Sequence, residues 1–370
     1  MIAEITVDLG AVARNAAALA ALAAPARLVA VVKANAYGHG LVHVARAVAP
    51  HAARLAVYDL DEALALRAAG IDAPLQILGP IATSALPVAY EAEAIITMWD
   101  AGTYAARVAE IGRSGERPFA VHAKIDTGVA RLGVPVAQAA ELLARYRAMP
   151  GIALRGAFTH LAAAEELDSS FTDEQLARFL AATSALPAGV ERHVAATAAA
   201  MLWPATRLDA VRCGIGIYGI WPSEQTKERM NGDGLFLEPA LAWRTRIVAL
   251  HDVPEGETVG YGRTWRAARP SRIATLPIGY AEGLPRNAGN AADALIRGRR
   301  VPLVGRVCMD MAFVDVTDVP GAASGDAVTL IGVDGDERIR AEELGVACGT
   351  IGYEIVARLP THVPRRYVSS

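Results

Sequence analysis

Short apolar, β-branched runs alternate with alanine-rich amphipathic stretches through roughly the first 215 residues. The runs at 27–32 (RLVAVV), 54–57 (RLAV), 75–78 (LQIL), 94–97 (AIIT), 119–125 (FAVHAKI), 153–159 (ALRGAFT), 191–195 (ERHVA) and 208–212 (LDAVR) predict strands. Residues 59–69, 100–112, 136–147 and 172–185 predict helices between them. Asp100 and Thr172 stand where N-caps belong, and Gly70 stands where the 59–69 helix should stop. Such alternation builds βα units and a parallel sheet. Eight strands match a closed (β/α)8 barrel, with a doubly wound open sheet as the competing architecture.

From about residue 235 the pattern changes. WRTRIVAL, SRIATLPIGYA, VPLVGRVCMDMAFVDV and DAVTLIGV read as strands separated by Gly and Pro, and only 340–347 reads as a helix. The expected fold is therefore α/β: an N-terminal TIM-type barrel over 8–232, then a mostly β domain over 233–370 that residues 1–7 should join.

Composition narrows the function. Hydrophobic residues make up 53% and charged residues 20%, so a sizeable core is expected and disorder is not. Net charge is −3 with no basic block, which argues against nucleic acid or an anionic membrane as partner. The N-terminus is acidic where a signal peptide needs positive charge, and Pro25 and Arg27 interrupt the one greasy stretch. Cys213, Cys308 and Cys348 are an odd, sparse set that suits a reducing cytoplasm without a disulfide framework. Of 36 basic residues, only Lys33, Lys124 and Lys227 are lysines. A GC-rich genome swaps Lys for Arg wherever charge alone is needed. A surviving lysine is thus a candidate for chemistry that needs an amine able to deprotonate.

In a barrel, the active site forms where strands end and their following loops begin. Lys33 follows the first predicted strand, Lys124 and Asp126 the fifth, His160 the sixth and Thr197 the seventh, while Arg212 ends the eighth. Each has a plainer reading. Lys33 would cap a carboxylate pair, Lys124 and Asp126 would form a structural ion pair, His160 would be a core histidine and Arg212 an interior salt-bridge partner. Their convergence on one mouth favours chemistry. Gly214, Gly216 and Gly219 spell G-x-G-x-x-G, but Trp221-Pro222 follows instead of a helix, so a dinucleotide fingerprint is rejected. The glycines still let backbone N–H groups approach a phosphate, to which Thr197 would add a hydroxyl. His39 and His43 lack the glutamate of a zincin pattern, and no metal is expected. A nucleophilic amine and a phosphate cradle in one mouth point to pyridoxal 5'-phosphate, held as a Schiff base.

With those residues placed, the sequence closely resembles the alanine racemase family of fold-type III pyridoxal-phosphate enzymes. VVKANAYGHG, KIDTGVARLG, FTHLA, RCGIGIYG, VGYGRTW, GYAEGLPR, GRVCMDM and IGYEI match its segments in order. The resemblance implies that Lys33 carries the cofactor and is the base on one face of the substrate. It implies that Tyr261, from the partner subunit of a homodimer, is the base on the other. Tyr37, Tyr353, Thr197, Gly214 and Ile215 would hold the phosphate, and Arg212 the pyridine nitrogen. Arg131 would meet the cofactor's phenolic oxygen and the substrate carboxylate, oriented by a carbamylated Lys124. His160 would bridge Tyr261 to Arg212. Met309 and Asp310 would line the site from the partner, and Glu165, Tyr280 and Arg286 an entrance corridor. Ala196, Cys213, Glu165 and Glu282 depart from the family pattern, where Asn, Pro and two Asp are usual. The implied activity is interconversion of L-alanine and D-alanine. A broad-specificity racemase, a barrel-type decarboxylase and a non-enzymatic cofactor carrier are the rivals.

Overall fold

The computed structural model describes residues 3–370. Eight parallel strands surround one axis: Arg27–Val31, Arg54–Val57, Leu75–Ile77, Ala94–Met98, Phe119–Asp126, Ile152–Phe158, Glu191–His193 and Ala210–Cys213. The Arg54–Val57 and Leu75–Ile77 strands are buried along their whole length, as strands covered on both faces must be. The last seam lies between Glu191–His193 and Ala210–Cys213. A parallel bridge between Ala196 and Arg212 closes it, with the Arg212 N–H donating to the Ala195 carbonyl at 2.9 Å. The barrel reading therefore holds, and the open sheet is excluded.

Gly70, left-handed, follows the helix Leu60–Ala68 as expected, but the two N-cap assignments are corrected. The predicted helix 136–147 is seen as Val136–Ala148, but Asp100 lies outside the helix Thr103–Ser114. Asp100 instead accepts from the Gly102 N–H at 2.7 Å and shapes the preceding loop. Thr172 is buried inside the helix Ser170–Ala182, because that helix begins two residues earlier than expected.

The remainder forms two larger sheets and a two-stranded one, Thr258–Val259 with Trp265–Arg266. The first runs Arg299–Pro302, Asp293–Ile296, Ala327–Asp334, Leu241–Arg246, Ala3–Asp8 and Arg365–Val368. Ala3–Asp8 pairs antiparallel with Leu241–Arg246, so the start of the chain sits inside the β domain. The second contains Ala249–Val253, Ser271–Leu276 and Ala312–Asp315. Besides the expected helix, seen at Ala341–Ala347, a second short one spans Gly352–Ala357. Its six residues are too few for the helical period to show in sequence. No helix among the described residues is long and apolar enough to cross a membrane.

The first barrel strand runs into an unusual turn. Ala34, Asn35, Ala36 and Tyr37 all have φ between 50° and 55°. Left-handed backbone costs a non-glycine residue about 1–2 kcal/mol, so four in succession need outside support. Glu62 supplies part of it, accepting from the Asn35 and Tyr58 N–H groups, each at 3.0 Å. The Asn35 side chain accepts from the Leu41 N–H at 2.9 Å, and Arg365 Nε donates to the Gly38 carbonyl at 2.7 Å. His39, fully buried, donates from Nδ1 to the Tyr37 carbonyl at 2.9 Å and packs on Tyr218. The site lysine thus sits at the start of a turn wound the wrong way and pinned from both domains.

Ala34→Gly should relieve left-handed strain at an exposed position. The expected net gain is up to about 1 kcal/mol after the extra chain entropy of glycine is counted. A higher guanidinium midpoint with unchanged slope would show it; an unchanged midpoint would mean that the turn is unstrained at Ala34.

Candidate active site

Lys33 leaves the barrel wall half-buried, its Nζ 5.9 Å from the centre of the Tyr58 ring. Burial lowers its pKa, the Arg131 charge lowers it further, and Glu62 opposes both. A neutral amine is thereby favoured relative to an exposed lysine.

Beside it lies a pocket wall made for an anion. The Gly214 N–H reaches Thr197 Oγ1 at 3.1 Å. A Cβ on Gly214 would come within 2.4 Å of Tyr37 Oη, so only glycine lets the loop approach that hydroxyl. The Tyr37 ring is 6.4 Å from the Tyr353 ring, and Tyr353 Oη donates toward Glu165 Oε1 at 3.5 Å. Burial pushes both phenols up, so they are hydrogen-bond donors at neutral pH. Ile215 opens a single tight turn, Ile215–Tyr218, that ends at left-handed Gly219. No helix begins on the glycine-rich segment, in keeping with the rejected dinucleotide reading.

Arg212 is buried at the end of the last strand. Its Nη1 reaches His193 Nδ1 at 2.7 Å and the His193 carbonyl at 2.9 Å. Its Nη2 donates to the Thr159 and Val194 carbonyls at 2.7 and 3.0 Å. Those bonds use four of the five N–H groups and leave Nε–H without a partner among the described residues. Burial and repulsion from Arg54 bring the guanidinium down to about 9, still protonated at neutrality. Since arginine only donates, His193 Nδ1 must accept. Its proton then sits on Nε2, 2.8 Å from His122 Nδ1. Burial and neighbouring arginines hold both imidazoles neutral. Below them Arg54 grips Glu191 through two bonds, 2.9 and 2.5 Å long, and reaches Gln76 at 2.9 Å. His122, Glu191 and His193 lie close enough to hold a metal ion, but two flanking arginines oppose a cation there.

Lys124, Asp126, Arg131, Thr159 and His160 line one small cleft. The plainer reading, a Lys124–Asp126 ion pair, is not formed. Asp126 instead accepts from the Gly128, Val129 and Ala130 N–H groups at 2.9–3.2 Å, folding the loop that carries Arg131. Lys124 Nζ lies 4.5 Å from the Phe158 ring centre, and burial with nearby arginines brings it down to about 7. Burial, with the same charges nearby, brings His160 down to about 3, so it is neutral. It makes no hydrogen bond to Arg212, whose imidazole partner is His193.

The β domain carries the other predicted residues. Tyr261 is 72% and Met309 57% exposed, and Asp310, Tyr280 and Arg286 are exposed too. The Met309 and Cys308 carbonyls accept from the Ala281 and Tyr280 N–H groups, joining those segments. Glu282 accepts from the Gly279 N–H at 2.8 Å, so this departure from the family pattern caps its own turn. No hydrogen bond or ring contact among the described residues joins Tyr261, Met309 or Asp310 to Lys33. At Ala196, the backbone alone makes the bridge that closes the barrel.

These groups fit pyridoxal phosphate. They offer an amine, hydroxyls and glycine N–H groups for a phosphate, and one free N–H on a buried guanidinium for a ring nitrogen. Family models for the N-terminal and C-terminal domains of alanine racemase match residues 7–222 and 240–367. An alanine racemase from Desulfosudis oleivorans is 39% identical, over 98% of this chain and 95% of its own. One from Symbiobacterium thermophilum is 40% identical, over 98% and 96%. The crystal structure of alanine racemase from the D-cycloserine producer Streptomyces lavendulae superposes with a TM-score of 0.93 at 33% identity, covering 100% of this chain and 98% of that one. That of Bacillus anthracis with bound L-Ala-P gives 0.89 at 34% identity, covering 99% and 95%.

The chain belongs to the alanine racemase family. It is accordingly an isomerase, and its cofactor is pyridoxal phosphate. The residues that sequence reasoning missed are those that hold the racemase site in shape: Glu62 under the turn, Tyr218 behind Tyr37, and His193, His122, Glu191 and Arg54 along the barrel floor. The one available signal was charge inside apolar strands, at Arg54 and Glu191.

Lys124 yields a pH test. Its folded value, about 7, lies below the ordinary 10.5, so the unfolded chain binds more protons between those limits. Stability contributed through this residue must therefore rise with pH across that window. Replacing Lys124 by Met should flatten the rise in unfolding midpoint relative to the native sequence. Parallel curves would mean that the amine is not depressed.

Proposed function

We propose that this enzyme interconverts L-alanine and D-alanine with two proton-transfer groups on opposite faces of the substrate: Lys33 of one subunit and Tyr261 of the partner subunit in a homodimer. The observation that carries the reading is the half-buried Lys33 amine, held toward neutrality beside the Tyr37–Thr197–Gly214–Tyr353 wall. The exposure of Tyr261, Tyr280, Met309 and Met311 supports a second copy covering that face.

When bound, pyridoxal phosphate supplies an electron-accepting ring that makes the α-proton removable. Lys33 Nζ takes or returns that proton on its side. Tyr261 Oη does so on the other, so a proton removed from one face is replaced on the opposite one. Arg131 holds the substrate carboxylate and the cofactor's phenolic oxygen. Tyr37, Tyr353, Thr197 and the N–H groups of Gly214 and Ile215 bind the phosphate. Arg212 donates Nε–H to the ring nitrogen and keeps its own proton, which limits how far charge spreads into the ring. The neutral His160 contributes no charge and offers Tyr261 a hydrogen-bond partner. Met309 and Asp310 of the partner subunit close the pocket. Glu165, Tyr280 and Arg286 form the corridor, where the bulk of Tyr353 and Tyr280 favours a methyl side chain. A Lys124 amine that is neutral near pH 7 can add carbon dioxide, releasing a proton and placing a carbamate where it orients Arg131. Three free thiols support a cytoplasmic setting.

The decisive measurement is incubation with L-alanine, L-serine or L-lysine in deuterated water, followed by separation of enantiomers. Racemic, α-deuterated alanine alone is expected. Racemic lysine or serine at similar rates would favour a broad racemase, and carbon dioxide release a decarboxylase. Lys33→Ala should abolish the visible cofactor absorbance. Tyr261→Phe should keep that absorbance and slow α-proton exchange from one enantiomer by about 100-fold or more. Full activity in both directions would end the two-base reading.

Arg212→Glu should raise transamination relative to racemisation, because a carboxyl can share a proton with the ring nitrogen. An unchanged product ratio counts against the role given to Arg212.

A further inference from the structure

Behind the site lies a second cavity, of about 280 Å³, at the junction of the barrel with the β domain. Its walls are mostly apolar, built from residues such as Leu241, Ile331, Ile339 and Val356. Three arginines line it, Arg244, Arg338 and Arg340. Arg338 lies on the strand Glu337–Ile339, and Arg340 follows in extended backbone. Two positions apart, they project from the same side.

Arg340 is the unusual member. Its Nη1 is buried and has no hydrogen-bond partner. Neither Arg338 nor Arg340 forms a side-chain ion pair among the described residues. The carboxylates on the wall are engaged elsewhere. Asp8 binds Ser370 and accepts from the Ala11 N–H at 3.0 Å, and Glu342 Oε1 accepts from the Trp221 N–H at 2.9 Å. The cavity therefore holds more positive charge than negative, and a buried donor is left without an acceptor.

The same cavity backs onto the catalytic turn. Tyr218 and Val356 both line it. The Tyr218 ring lies 5.0 Å from that of Tyr37 and 4.5 Å from that of His39. The Val356 carbonyl packs so closely on Gly38 that a Cβ there would meet it at 2.0 Å.

We propose that this cavity is a binding site for a small carboxylate with a short hydrocarbon tail. The tail fills the apolar volume, and the carboxylate accepts from Arg340 with Arg338 or Arg244 beside it. A planar carboxylate matches the guanidinium fork, which an alcohol or an ammonium does not. An occupant would touch the outer side of Tyr218, one ring removed from Tyr37. The site is separate from the one that carries the racemase reading, and its test does not depend on turnover.

The test is calorimetric titration of the holoenzyme with hexanoate and octanoate, against hexan-1-ol and hexylamine, in equilibrated saturating DL-alanine. Saturable carboxylate binding is expected, at least about tenfold tighter than the alcohol. Arg340→Gln should weaken it about tenfold, and Arg338→Gln, at the exposed rim, gives the same readout should R340Q not fold. Ile331→Phe fills the cavity from the strand paired with the one that carries Arg338 and should abolish binding while cofactor absorbance stays unchanged. Absence of carboxylate binding, equal binding of the alcohol, or binding that survives Ile331→Phe would each overturn the proposal.

Discussion

Four consecutive left-handed residues behind Lys33 are the strained element on which the site depends. Right-handed backbone would have carried the chain smoothly from strand to helix, as it does after most other barrel strands. The reversed turn instead places Lys33 and Tyr37 close together at one mouth. The strain is held by bonds from distant parts of the chain: Glu62 from the next βα unit, Arg365 from the C-terminal strand, and Tyr218 beneath His39. A local sequence cannot hold such a turn alone, because the alanines in it prefer the right-handed form. Both domains therefore contribute to the position of one amine.

A second constraint is electrostatic. The barrel interior buries Arg54 and Arg212 against one buried carboxylate, Glu191. Burying unequal charge is unfavourable: burial, and after it repulsion from Arg54, lowers the proton affinity of Arg212. What fixes Arg212 in place is a set of neutral acceptors: three carbonyls and the imidazole of His193. The result is a cation whose remaining N–H points one way. Lys33, Lys124 and His160 share the same field and lose proton affinity together. A cluster of basic residues in a low-dielectric mouth produces free bases near neutral pH, which suits proton transfer and anion binding alike.

The division of labour between domains follows from the fold. Strand ends of a parallel barrel all face one side, so residues distant in sequence meet there by construction. The β domain adds Tyr353 through a short helix, holds Tyr261 outward on a glycine-rich turn and leaves Met309 exposed. Exposed tyrosine and methionine side chains on one face are what a protein–protein contact requires.

Much of the architecture was legible because barrel strands are short, buried and β-branched, and their spacing repeats. Lys33, Lys124 and Arg212 were legible because a lysine-poor chain makes each lysine conspicuous and because strand ends were known. The role of Asp126 was not legible, since a carboxylate two residues from a lysine leaves a pair open until the loop's N–H groups are seen to converge on it. Asp100 and Thr172 were misread because cap preference is weak beside tertiary packing. The chain alone thus determined the alternation of strands and helices, the change to β structure near residue 235, and pyridoxal phosphate as the cofactor. The left-handed turn, the His193 partner of Arg212, the free Nε–H and the arginine-lined cavity were decided only in three dimensions. Each depends on contacts between residues far apart in sequence, whose energies no local pattern records.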